Sequence, residues 1–173
     1  MKDENVSVYT GKEAAKLSVN YDDSIGSFVN TFTSMAKPND YIALLPYFLM
    51  TDKRTKILQS WRQKMRDRLK EATTLLNGPR YLHSTGQLHK GGPDTGLYII
   101  LIGDDPNDLA IPGQKFGFAT FHQAQALGDF RSLDEKGRRV ILIRFGKGVD
   151  EGLSKLYQSI IESNKQLANL ELA

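Results

Sequence analysis

The sequence predicts a doubly wound α/β fold, a mainly parallel sheet with helices on both faces, and three observations lead there. Tyr41-Ile42-Ala43-Leu44-Leu45, Leu97-Tyr98-Ile99-Ile100-Leu101-Ile102 and the stretch from Arg138 to Phe145 are short runs dominated by consecutive apolar residues, as expected of strands covered on both sheet faces. Between these runs, apolar residues recur every three to four positions, the period of a helix that buries one stripe. Strand and helix signals therefore alternate along the chain. That alternation calls for parallel strands joined by helical crossovers, with ligands collecting at the carboxyl ends of the strands.

The elements follow in order. Val6-Ser7-Val8-Tyr9-Thr10 is a short β-prone run ended by Gly11, after which Ile25, Phe28, Val29, Phe32, Met35 and Ala36 have helical spacing. Pro38 and Asp40 stop that helix before the first buried strand. From Thr51 or Asp52, either a suitable N-cap, a long helix carries Ile57, Trp61, Met65 and Leu69 at steps of four until Asn77-Gly78-Pro79 ends it. The second buried strand stops at Gly103-Asp104-Asp105-Pro106, and a loop containing Pro and Gly runs to Gln114. Phe116 to Leu133 reads as mainly helical, and Leu153, Leu156, Tyr157, Ile160 and Ile161 mark a helix after the third buried strand. With 173 residues and no interdomain linker or internal repeat, the chain reads as one domain over 1–173.

Composition narrows the function classes. A hydrophobic content of 40% with 25% charged residues is that of a globular protein, and no apolar run approaches the ~20 residues needed to cross a bilayer. The sequence has no cysteine, which removes disulfides and thiolate metal sites, and its first residues lack the apolar core of a secretory signal, so a cytoplasmic location is the default expectation. The net charge of +3 is spread among interleaved acids. The densest basic stretch, Lys53 to Lys70, lacks alternating aromatic residues and reads as a solvated helix face rather than a nucleic-acid surface.

The segment from Gly78 to Pro93 concentrates chemistry. It holds two of the three histidines, His83 and His89, together with Arg80, Lys90, Ser84, Thr85, Gln87 and glycines at 78, 86, 91 and 92. Glycine lets a backbone approach a ligand, histidine transfers protons near neutral pH, and hydroxyl, amide and ammonium groups bind sugar hydroxyls or phosphate oxygens. A polar loop and short helix before a strand would account for the same composition. A zinc site built from His83, His89 and His122 is disfavoured because the spacing of six between the first two is not that of an i, i+4 helical pair. Gly146-Lys147-Gly148-Val149-Asp150-Glu151-Gly152 resembles a degenerate dinucleotide loop, but one helix follows it and no further strand, so a plain strand-to-helix turn is the better reading.

On these residues a family likeness is visible. Arg80 to Pro93, and more loosely Asp40 to Arg80 with Phe116 to Leu133, resembles the C-terminal sugar-isomerase (SIS) domain of the glucose-6-phosphate isomerases that bacteria fuse to transaldolase. Tyr81-Leu82-His83-Ser84-Thr85-Gly86-Gln87-Leu88-His89-Lys90-Gly91-Gly92-Pro93 is also similar to the His-x-x-x-Gln-Leu-x-His-x-Gly stretch of conventional isomerases, with one residue fewer here. The resemblance implies an SIS-like, flavodoxin-like three-layer sandwich. It also implies aldose–ketose isomerisation of glucose 6-phosphate and fructose 6-phosphate, by ring opening and enediol proton transfer, with no cofactor and no metal.

The resemblance gives His83 the ring-opening role and makes Ser84, Thr85, Gln87, His89 and Lys90 substrate-binding neighbours. Ala43-Leu44-Leu45-Pro46-Tyr47 is similar to the strand before the helix that bears the family's catalytic base. Counting forward then gives Asp67, or less well Glu71, as the catalytic carboxylate. Conventional enzymes present that base in Glu-Ser-Asn-Gly-Lys, whereas this chain reads Arg66-Asp67-Arg68-Leu69-Lys70-Glu71, and Asp67 lies opposite the apolar stripe, where an exposed, salt-bridged acid is the alternative. No loop here resembles the family's phosphate cradle. The implied partners are a sugar-phosphate substrate, an N-terminal SIS domain, in some relatives a transaldolase domain, and a second copy in a homodimer, with no nucleic acid and no membrane. The rival expectation is a non-catalytic sugar-phosphate-binding or dimerisation domain on the same fold.

Overall fold

Strands β3 (Tyr41–Pro46), β5 (Gly96–Asp104) and β6 (Arg139–Lys147) form where the sequence is apolar on consecutive positions. The pleat sends alternate residues to opposite faces. Ile42, Leu44, Leu97, Ile99, Leu101, Ile141 and Ile143 enter one core, and Ala43, Leu45, Tyr98, Ile100, Ile102, Val140 and Leu142 enter the other. The computed structural model describes residues 2–3, 5–17, 24–104 and 108–171. Asp105 and Pro106, read as part of the stop after β5, lie outside the described residues.

The other strands are β1 (Lys2–Asp3), β2 (Val6–Thr10) and β4 (Ala72–Leu75). The six-stranded sheet runs β1-β2-β6-β5-β3-β4, with β6, β5, β3 and β4 parallel and the β1–β2 hairpin antiparallel along the β6 edge. Helices α1 (Lys12–Ala15), α2 (Ile25–Thr33), α3 (Asp52–Leu69) and α6 (Val149–Glu171) cover the first core. A 3₁₀ turn (Arg80–His83) and α5 (Phe118–Glu135) cover the second core, and α4 (Thr85–Gly91) lies between them in the chain. This is the expected three-layer, doubly wound α/β sandwich.

Two details depart from the sequence reading. The long helix does not run on to Asn77. Lys70 takes a left-handed conformation (φ 60°) that closes α3, and Ala72–Leu75 becomes an edge strand parallel to β3. The helix expected from Phe116 starts at Phe118. The Gly146–Gly152 stretch is the plain turn expected, joining β6 to α6.

The topology fixes where a ligand can sit. After β3 the chain goes through α3 to β4 on one side, then crosses back to place β5 on the other side of β3. The connection after β3 lies over one face and the one after β5 over the opposite face, so their divergence opens a crevice at the carboxyl ends of these two strands. At the other end, the buried ion pair Arg139–Asp40 (2.7 Å) ties the starts of β6 and β3. Burial pushes the Asp40 carboxyl up, but the hydrogen bonds from Arg139 and the Lys37 amide outweigh it and leave the group below its ordinary range.

Candidate functional site

The segment after β4 is anchored at the carboxyl end of the sheet by the Gly78 amide, which donates to Pro46 O at 2.9 Å. The 3₁₀ turn and α4 then lead back to the start of β5. Beneath them lies a buried polar network. The Asp129 carboxylate of α5 receives the Lys90 ammonium at 2.6 Å and the Tyr81 hydroxyl, with the Tyr47 hydroxyl at 3.5 Å from Asp129 and 3.0 Å from Tyr81. Burial first, and the Asp129 charge second, push the Tyr47 and Tyr81 phenols well above the usual tyrosine range, so both remain protonated.

Above this floor is a polar cleft of about 460 Å³. Thr55 and Gln59 come from the first turns of α3, Asn77 from the end of β4, and Arg80 and Ser84 from the turn beyond it. The Arg80 guanidinium has no hydrogen bond or ion pair among the described residues, and the Ser84 hydroxyl makes one long contact, to Tyr81 O at 3.4 Å. Hydroxyl, amide and guanidinium groups around a cleft at the carboxyl end of a parallel sheet suit a hydroxyl-rich or anionic small molecule.

The residues singled out in the sequence separate in space. His83 is exposed, lies between Arg80 and Ser84 in the chain, and has no hydrogen bond or ion pair among the described residues. Thr85 is half-buried with an unpartnered hydroxyl, and Gln87 is exposed. His89 is a correction to the expected substrate contact. Its ring is 2% exposed and packed among Tyr98, Tyr81 and Tyr41 at centroid distances of 4.9, 5.6 and 5.9 Å, so no substrate reaches it in this conformation. Burial also lowers its pKa, which keeps the imidazole neutral. Lys90 is held by Asp129 and serves the network rather than the open cleft.

Asp67 is a second correction, in position. It sits in the last turn of α3, exposed and paired with Arg66 at 2.7 Å. It is at the amino end of the sheet, close in sequence to Ala72, which pairs with the first residue of β3. His83 follows the carboxyl end of β4, on the opposite face. One chain therefore does not bring Asp67 and His83 together, and Glu71, beside the start of β4, shares the position of Asp67. Among the described residues no cluster of three or more histidine and carboxylate side chains is placed to hold a metal ion.

The sequence reading passed over Thr55, Gln59 and Asn77 and gave Arg80 no specific role. The available signal was topological, since each follows the carboxyl end of a parallel strand.

No family model matches the chain, and no curated protein matches it. Nine chains of solved structures do match. One is the crystal structure of a hypothetical protein from Thermus thermophilus, similar with a TM-score of 0.60 and 19% sequence identity. The alignment covers 87% of this chain and 45% of that one, so the chain spans less than half the length of that protein. The likeness is one of fold. No helix among the described residues is long and apolar enough to cross a membrane.

Proposed function

We propose that this chain is a sugar-isomerase-type domain that supplies one wall of a hexose-phosphate site, in an enzyme interconverting glucose 6-phosphate and fructose 6-phosphate in the cytoplasm. The observation that carries this reading is the polar cleft to which Arg80 and Ser84, three residues before His83 and one after it, both contribute. Thr55, Gln59 and Asn77 would bind sugar hydroxyls, and His83, next to the lining residue Ser84 in the chain, would exchange the proton of the ring oxygen during opening. No cofactor enters this chemistry. The carboxylate that moves the carbon-bound proton, and the main phosphate cradle, would come from a second sugar-isomerase domain, alone or with a transaldolase domain, or from a second copy in a homodimer.

The place of Asp67 at the far end of the sheet favours a second reading, a sugar-phosphate-binding or dimerisation domain without chemistry of its own. One titration followed by an assay separates the two. In nuclear magnetic resonance, glucose 6-phosphate should shift the amides of Thr55, Gln59, Asn77 and Ser84 saturably. Adding the remaining domain of the enzyme should restore isomerisation in the first case and not in the second. The absence of shifts in the cleft at saturating sugar phosphate would refute both readings of the cleft.

A further inference from the structure

Beside the polar cleft, and sharing Met50, Asn77 and Arg80 with it, lies a second and larger one of about 640 Å³ at the diverging carboxyl ends of β3 and β5. Its character is different. Phe48, Leu49, Leu109 and Phe118 form apolar walls, and Arg80, His122 and Asn77 are polar side chains there without a side-chain hydrogen bond or ion pair among the described residues. Leu49, Leu109 and Phe118 are 68%, 72% and 47% exposed, so large apolar side chains face solvent around one opening. Side chains of that size exposed together mark a surface that something covers.

The walls are fixed rather than accidental. Arg54 donates to Leu49 O at 2.7 Å and to Asp150 at 2.7 Å, which pins the chain after β3 to the start of α6. On the far side, Asp108 accepts the Ala119 amide at 2.7 Å and Phe118 N donates to Leu109 O at 2.9 Å, closing the 108–118 loop on the N-terminus of α5. A Cβ at position 117 would overlap the Asp108 carboxyl group, so glycine is needed for this closure. Gln123 then ties α5 to Gly103 O and Asp104 at the end of β5.

The charge balance points to an anion. The N-termini of two eighteen-residue helices, α3 and α5, open at this end of the sheet and add positive potential to that of Arg80. Among the described residues, the one carboxylate in the lining, Asp108, is already bonded to an α5 amide. The volume lies within the ~300–1,000 Å³ of small-molecule clefts.

We propose that this cleft is a binding site for a phosphomonoester carrying a flat ring, with the ring between Leu49, Leu109 and Phe118 and the phosphate on Arg80 and His122. This site stands independently of the sugar reading. Because Arg80 borders both clefts, its occupant would compete for that guanidinium with anything in the polar cleft.

The test is a calorimetric titration of the chain at low salt with phenyl phosphate, inorganic phosphate, phenol and adenosine monophosphate. Phenyl phosphate should bind saturably, and about tenfold or more tighter than inorganic phosphate or phenol, since ring and charge each contribute. Arg80→Ala and Phe118→Ala should each weaken phenyl phosphate by roughly fivefold or more. Gln59→Ala, which alters the polar cleft alone, should leave it unchanged, so this site can fail or succeed without reference to the sugar site. Adenosine monophosphate binding tighter than phenyl phosphate would identify a nucleotide as the occupant, and weaker binding a simple aryl ester, both in line with the proposal. Equal affinity for phenyl phosphate and inorganic phosphate, equal affinity for phenyl phosphate and phenol, or unchanged affinity in the Arg80→Ala and Phe118→Ala variants would overturn it.

Discussion

Removing the ammonium that neutralises Asp129 should destabilise the protein by about 3 kcal/mol, and the size follows from the geometry. At 2.6 Å the Lys90–Asp129 attraction has a gross value of ~6 kcal/mol at an effective dielectric of about 20. Asp129 is 1% exposed but Lys90 is 29% exposed, so water already screens part of this. Truncating one partner of a fully buried pair costs ~3–5 kcal/mol. Lys90→Met keeps most of the side-chain volume and leaves the carboxylate only the hydrogen bonds of Tyr81 and Tyr47, which places the cost near the lower bound. For a chain of this length ~3 kcal/mol corresponds to a fall in Tm of roughly 6–12 °C. Asp129→Leu should be gentler on Lys90, which can turn to water, and the tyrosine hydroxyls keep one another at 3.0 Å. Urea and thermal melts of both single variants and Lys90→Met/Asp129→Leu complete a cycle, with a coupling of ~2 kcal/mol expected. A Lys90→Met cost below about 1 kcal/mol, or a coupling within ~0.5 kcal/mol of zero, would refute the view that this pair holds α4 against α5.

Three further outcomes are expected. Gly26→Ala should cost about 3 kcal/mol or more in urea melts, because a Cβ there would overlap the backbone of Ser159 and Ile160 where α2 crosses α6; a cost under ~1 kcal/mol would mean that the two helices can separate freely. His89 has a folded pKa below its unfolded value, so its contribution is present above the ordinary histidine value of ~6.5 and is lost as pH falls through the folded pKa. Stability of the wild type should therefore fall faster with acidification below that value than stability of His89→Phe, and parallel pH profiles would count against this. If the proposed isomerase reading holds, His83→Ala in the full-length protein should lower kcat by roughly 10² with little change in KM, whereas wild-type kcat would remove His83 from the chemistry.

The parts of the fold that were legible in the sequence are those in which burial acts on both faces at once. Strands β3, β5 and β6 each carry an unbroken run of four or more apolar side chains that feed both cores, a pattern that no other strand among the described residues has. Strand β4 is a half-buried edge of four residues, Ala72-Thr73-Thr74-Leu75, and the helix before it is ended by a left-handed lysine rather than by glycine or proline, so no residue type announced the break. The run Val6–Thr10 reads as a strand, but its antiparallel direction is set by β6, more than 120 residues later, which no local pattern encodes. In the site, the polarity rule misled. On α4 the histidine is inside and Leu88 is 51% exposed, the reverse of what their side chains suggest, because the tyrosines around His89 and the Asp129–Lys90 pair make that interior polar.

The geometry of α3 bears directly on whether the chain can act alone. Its N-cap, Thr51, lies at the carboxyl end of the sheet, and Asp67 is sixteen residues further along, so at 1.5 Å per residue the carboxylate is displaced by ~24 Å along the axis. No side-chain rotation recovers that distance, and His83 lies over the opposite face. Two described acids at the productive end are engaged, Asp104 with Arg144 and Gln123 and Asp108 with the amide of Ala119, while Asp52 in the first turn of α3 is exposed with no hydrogen bond or ion pair among the described residues. None of the lining side chains of the polar cleft is a carboxylate, so the proposed reading assigns the carbon-bound proton to a carboxylate from outside this chain. The chain alone should accordingly bind glucose 6-phosphate in the polar cleft and show no isomerisation in a coupled assay, since lost general-base catalysis alone costs ~10²–10⁴ in rate. Turnover by the isolated chain at ordinary enzyme rates would show that an acid of this chain serves as the base and that the half-site argument is wrong.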